Sequence, residues 1–219
     1  MSELKKRIIT SIILLSLLVL IYFYSFIMVL SVILVSIITW IEFYNLIYKI
    51  YKKKNKQDKF LRFFFKGLSL IYLMLFSFLI FIIKSDFPNL EVFIFYSIII
   101  CVSSDIGGLT IGKIFKGKKL TKISPNKTIS GSIGSFVFGL ILIPFFQQFL
   151  GNINIYLIIL ITLLISLTSQ LGDLFISFLK RKANVKDTGD LLPGHGGFLD
   201  RLDGILFAVP IGLILFISF

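Results

Sequence analysis

This chain has one cysteine, one histidine and one tryptophan among 219 residues, and only 11 acidic side chains against 23 Lys and Arg. A single Cys101 excludes an internal disulfide and any cysteine-based zinc site, and reads most simply as a small buried apolar residue. There is no internal repeat, low-complexity tract or heptad pattern, which argues against a solenoid or a coiled coil. Nor is there a basic patch with interleaved aromatics, so the net charge of +12 is not a nucleic-acid footprint.

What the chain has in excess is apolar side chain. It is 57% hydrophobic, with mean hydropathy +0.97 and 25 Phe, more than a water-soluble core of this size can hide. Runs long enough to cross a hydrocarbon layer of about 30 Å, which takes roughly 20 residues, lie near 8–24, 26–48, 63–83, 91–112, 132–150, 154–179 and 203–219. The expected fold class is all-α: a polytopic integral membrane protein of about seven transmembrane helices. The first run follows Lys5, Lys6 and Arg7 like a signal peptide. No A-x-A-like site follows it and a second run begins almost at once, so it reads as a span.

Charge placement sets the orientation. With a cytoplasmic N-terminus, residues 1–7, 49–66, 113–131 and 180–203 face the cytoplasm and hold every Lys and Arg except Lys84, as the positive-inside rule requires. The run from Lys49 to Lys59 is most simply topogenic and attractive to anionic lipid, at about 1 kcal/mol per charge near an acidic leaflet. The functional division falls near residue 100. Residues 1–100 form an N-terminal region of three spans, and 101–219 form a C-terminal region that carries nearly all the chemistry.

Two polar blocks stand out there. In the later one, Asp173, Ser177 and Lys180 stand at i, i+4 and i+7, on one helix face with Arg181 close by. An acid near membrane depth is a functional candidate by default; the bland alternative is a structural salt bridge from Asp173 to Lys180, one turn too far for an ideal pair. Lys186 and Asp187 follow, then Gly194-His195-Gly196-Gly197, then Asp200, Arg201 and Asp203. The glycines suit backbone approach to a phosphate. His195 is open to three readings: metal ligand, phosphate donor or proton carrier, or loop residue. Carboxylates converging from separate segments, without cysteine, favour a hard cation such as Mg2+ held by Asp173, Asp200 and Asp203; the alternative for Asp200 and Asp203 is helix capping. Lys180, Arg181, Lys186 and Arg201 would hold phosphate oxygens. The earlier block runs from Ser103-Ser104-Asp105 through Gly112-Lys113 to Ser124-Pro125-Asn126-Lys127-Thr128-Ile129-Ser130-Gly131, where Lys127, Thr128 and Gly131 form a candidate anion-binding turn.

From Ser177 to Asp203 the residues fit the pattern S-x-[aliphatic]-K-R-x4-K-D, then H-G-G-[apolar]-x-D-R-[apolar]-D, and the chain so resembles the CTP:phosphatidate cytidylyltransferases. The earlier block is similar to the same family's S-P-x-K-T-x-E-G element, with Ser130 in place of its usual Glu. Leu109 replaces a common Tyr and Ile176 a common Glu, which puts an acidic role at 130 and 176 in doubt. The resemblance covers 101–203. It implies an enzyme that makes CDP-diacylglycerol and pyrophosphate from CTP and phosphatidate, a homodimer in the lipid membrane, and Mg2+ with K+ as a candidate second ion. It further implies catalytic roles for Asp173, Lys180, Arg181, Asp187, His195, Asp200 and Arg201. Substrate contacts would come from Asp105, Lys113, Ser124, Lys127, Thr128, Ser177, Lys186, Gly196 and Gly197. The competing readings are CMP transfer to an isoprenoid lipid phosphate, and a polytopic transporter using Asp105 and Asp173 as ion sites. A CDP-alcohol phosphotransferase is excluded because its D-G-x2-A-R motif is absent.

Overall fold

The computed structural model describes residues 16, 20, 21, 23–53, 55–151, 153–191 and 196–218. Among these, six helices are long and apolar enough to cross a membrane: Phe26–Ile50, Lys56–Asp86, Pro88–Phe115, Ile129–Phe146, Ile155–Lys182 and Leu199–Ser218. The protein is an integral membrane protein, and the described count is six rather than seven. The expected first span, 8–24, lies outside the described residues except for Ser16, Leu20, Ile21, Phe23 and Tyr24.

The chain divides into two compact units, Met1–Asp86 with Leu179–Arg201 and Phe87–Phe178 with Leu202–Phe219. These boundaries differ from the functional division at residue 100, because a late loop joins the N-terminal helices.

In the first unit, α1 (Ser25–Ile50) packs on α2 (Lys56–Asp86). Helix α2 starts well before the apolar run expected from residue 63, because Arg62 and Lys66 continue the helix instead of ending it. Their charges lie over aromatic faces of α1, Arg62 above Tyr48 at 5.2 Å and Lys66 above Trp40 at 5.2 Å and Tyr44 at 4.9 Å. Long cationic stems can thus lie along apolar surface while their heads find the ring quadrupoles. Trp40 Nε1 donates to the Lys66 carbonyl at 3.1 Å, and the Ser36 and Ser77 hydroxyls meet at 2.8 Å. Both contacts fix the register of the pair.

In the second unit, α3 (Glu91–Phe115) packs on α4 (Ile129–Ile141) through a seam of small residues. A Cβ on Gly107 would fall 2.5 Å from the Gly134 carbonyl, and one on Gly134 would fall 2.6 Å from the Gly107 carbonyl. Backbones approach this closely only where side chains are absent, the usual means of helix association in lipid. Ser135 Oγ donates to the Ser104 carbonyl at 2.7 Å, and Ser104 Oγ to Ser166 Oγ at 2.8 Å, which extends the seam to α6 (Ile155–Lys182). The short α5 (Ile143–Phe146) restarts the helix at a proline. At the other end of α3, Phe93 stacks on Phe216 of α8 (Ile205–Ser218), with centroids 4.4 Å apart.

The basic loop between α3 and α4 is ordered by its own backbone. Lys116 takes a left-handed conformation and donates its N–H to Gly112 O, ending α3. Lys119 and Thr128 then form an antiparallel bridge, with Leu120 N bonded to Lys127 O at 2.8 Å. Thr128 caps α4, its hydroxyl accepting from Gly131 N at 3.0 Å.

Candidate active site

The second unit gathers Lys127, Asp173 and Ser177. The bridged loop brings the Lys127 ammonium onto Asp173 Oδ2, and both side chains remain about a quarter exposed. Ser177 Oγ, one turn along α6, donates to Asp173 Oδ1 at 3.2 Å. Asp173 and Ser177 do meet on the helix face read from their spacing, and the cation on Asp173 is Lys127, not the Lys180 of the bland alternative. Next to Asp173, Gly172 lies against the backbone carbonyl of Asp203, where no Cβ would fit. Asp203 Oδ1 accepts from the adjacent Gly204 N at 2.9 Å. Thr128 and Ser130 hydroxyls meet at 3.0 Å, and Gly117 N donates to Ser130 Oγ, so Ser130 acts as a neutral loop fastener. The Gly131 N–H is taken by Thr128. Ile176 is 2% exposed, a position where its apolar side chain needs no partner.

The first unit gathers Lys180, Asp187, Thr188, Gly196, Gly197 and Asp200. Lys180 Nζ stands 2.6 Å from Asp200 Oδ1 in a well-shielded ion pair. Asp200 Oδ2 accepts from Thr188 N at 2.8 Å, Thr188 Oγ1 at 3.0 Å and Gly197 N at 3.1 Å. The carboxylate thus organises the loop that precedes its own short helix, α7 (Leu199–Leu202). Gly196 has φ +83°, and a Cβ there would lie 3.3 Å from both Asp187 Cβ and Asp200 Oδ2. The left-handed conformation favours glycine at that position, and the space around it is tight. The Gly197 N–H, expected to face a phosphate, is given to Asp200.

Of the remaining candidates, Asp105, Lys113, Arg181, Lys186 and Arg201 are exposed, and Ser124 is partly buried with its N–H donated to Thr121 Oγ1 at 3.3 Å. His195 lies outside the described residues, as do Pro193 and Gly194.

One participant was not anticipated. Glu42 of α1 is 3% exposed and accepts from Thr188 Oγ1 at 2.8 Å, Phe198 N at 3.0 Å and Leu199 N at 2.9 Å. The signal that would have found it is the one that marked Asp173, an acid inside an apolar run.

Residues 3–219 match the Cytidylyltransferase family. The chain belongs to that family. As a cytidylyltransferase-family protein it has named relatives. It is 48% identical over 121 residues to the phosphatidate cytidylyltransferase of Bacillus subtilis (strain 168), covering 54% of this chain and 45% of that protein. It is 43% identical over 130 residues to that of Staphylococcus haemolyticus (strain JCSC1435), covering 58% and 49%. It is 42% identical over 144 residues to that of Rickettsia typhi (strain ATCC VR-144 / Wilmington), covering 62% of each. The chain thus spans about half the length of the first two of these cytidylyltransferase relatives.

Proposed function

We propose that this chain is a phosphatidate cytidylyltransferase, an enzyme that converts CTP and phosphatidate to CDP-diacylglycerol and pyrophosphate at the cytoplasmic face of a bacterial plasma membrane, as a homodimer. The observation that carries the reading is the partnering of the signature charges, Lys127 with Asp173 and Lys180 with Asp200. An ammonium–carboxylate pair can exchange partners with a phosphate and a hard cation without leaving a charge uncompensated. Family membership and the names of the relatives support the same chemistry.

Mg2+ is part of the proposal, with K+ as a candidate second ion. No group of three or more His, Cys, Asp or Glu among the described residues forms a metal cage. Mg2+ at nucleotide sites takes one or two carboxylates and completes its shell with phosphates and water. By donor chemistry alone, each of the carboxylates Asp173, Asp200 and Asp203 suits a hard ion carried in with the nucleotide. When bound, it would neutralise charge on the phosphates.

The attacking group is an oxygen of the phosphatidate phosphate. It forms a bond to the α-phosphorus of CTP as the bond to pyrophosphate breaks. A phosphate monoester is largely dianionic near neutral pH, with a second pKa of about 6, so no strong general base is needed. The protein's contribution is positioning and charge neutralisation: Lys127, Lys180 and Arg201 would hold phosphate oxygens, and Arg181, Lys186 and Lys113 are exposed cations that could also meet them.

The test is a purified-protein assay of CTP and dCTP against phosphatidate and polyprenyl phosphate, reading pyrophosphate release. Release that depends on both CTP and phosphatidate is expected. Turnover with polyprenyl phosphate alone would move the chain to isoprenoid chemistry, and none with either lipid would remove the enzymatic reading.

A further inference from the structure

Glu42 takes no part in the chemistry proposed above, yet its carboxylate is buried and receives three hydrogen bonds from residues 188–199. A buried charge persists only where donors replace its water, and here the donors are a hydroxyl and two successive backbone N–H groups at the start of α7. The loop is shaped around it. A Cβ on Gly189 would lie 2.7 Å from Glu42 Oε1, and one on Gly197 would overlap both Glu42 Oε2 and Thr188 Oγ1. The Thr188 hydroxyl lies 2.8 Å from Glu42 Oε2 and 3.0 Å from Asp200 Oδ2, with one proton to share between them. Asp200 in turn carries Lys180.

We propose that Glu42 is a positioning residue for the active-site loop. Its carboxylate fixes Phe198 and Leu199 directly and, through Thr188, sets the placement of the Asp200 carboxylate and the Lys180 ammonium. This assignment rests on the reading of Asp200 and Lys180 as active-site groups. Asp200 binds the loop from one side through Thr188 N and Gly197 N, and Glu42 from the other through Phe198 N and Leu199 N. Neither carboxylate serves all four donors.

The experiment compares wild type, E42Q, T188V and T188S in detergent, by amide hydrogen exchange and by steady-state turnover of CTP with phosphatidate. Glutamine keeps the size of Glu42 but turns an amide NH2 toward groups that are themselves donors. In E42Q, amides of 186–191 and 196–201 should exchange faster while those of 129–141 stay as in wild type. The kcat should fall on the order of 10²-fold, as for a small misplacement of reacting groups, with KM for CTP little changed. T188V should move both readouts in the same direction, and T188S, which restores the hydroxyl, should return them toward wild type. Unchanged loop exchange in E42Q and T188V would overturn the proposal, as would faster exchange with a wild-type kcat, or a T188S as impaired as T188V. Should E42Q fail to insert or fold, the Thr188 pair decides. Should the wild type turn over no CTP, the functional reading fails by itself while loop exchange still decides whether Glu42 holds the loop.

Discussion

Lys180 Nζ stands 2.6 Å from Asp200 Oδ1, while the other oxygen of Asp200 is filled by three donors from Thr188 and Gly197. The carboxylate cannot rotate without giving up loop contacts, so it offers the ammonium an anchor of fixed position. Asp200→Asn should abolish turnover, and Lys180→Ala should lower it by on the order of 10²-fold or more. Because the two side chains act as one unit, the double variant should be little worse than Asp200→Asn alone. Wild-type turnover in Lys180→Ala would show that the ammonium takes no part.

Asp173 is held by Lys127 and Ser177. Asp173→Asn keeps the shape and removes the charge, and it should abolish turnover with excess Mg2+ unable to restore it. Lys127→Ala and Arg201→Ala should each reduce turnover by roughly 10²-fold through weaker handling of phosphate. Wild-type rates and nucleotide binding in both lysine and arginine variants would leave these cations a topogenic role alone. Activity undiminished by a chelator would remove the metal from the proposal.

The glycine seam of α3 and α4 sets a stability test. Gly134→Ala places a methyl 2.6 Å from the Gly107 carbonyl and should destabilise the protein by about 1–3 kcal/mol, the usual cost of overpacking. Gly67→Ala is the control: nothing lies within 4 Å of a Cβ there, and alanine is favoured over glycine in a helix by about 1 kcal/mol. Thermal denaturation in detergent should move in opposite directions for the two. A Gly134→Ala protein as stable as wild type would mean the helices part easily at that point.

Orientation is open to cysteine mapping. Cys101 is buried, so single cysteines placed in 49–66, 113–131 and 180–203 report without a competing thiol. All three segments should label from the cytoplasmic side only. Labelling of 180–203 from the outside would refute the topology and, with it, access of that loop to CTP.

The six described spans follow from the sequence alone, because the length of an apolar run and the cost of unpaired backbone in lipid leave a helix as the only solution. The polar residues of 173–203 stood out as candidates for a related reason: a charge near membrane depth is costly unless it is paired or hydrated. Their partners were not legible. Helical spacing put Asp173 and Lys180 on one face, a turn too far apart to pair, and the loop bridge at Lys119 and Thr128 delivers Lys127 to Asp173 while the return of 188–200 delivers Asp200 to Lys180. Gly197 reads in one dimension as an open phosphate-binding backbone, but the fold gives its N–H to Asp200 and its missing side chain to Glu42. Glu42 was silent because spacing along its own helix says nothing of what meets it from elsewhere. Its three donors lie far along the chain, so only the folded chain brings them together. Local periodicity determines which elements form and which face a side chain takes; which charge meets which depends on loop closure between distant segments, a property of the tertiary structure.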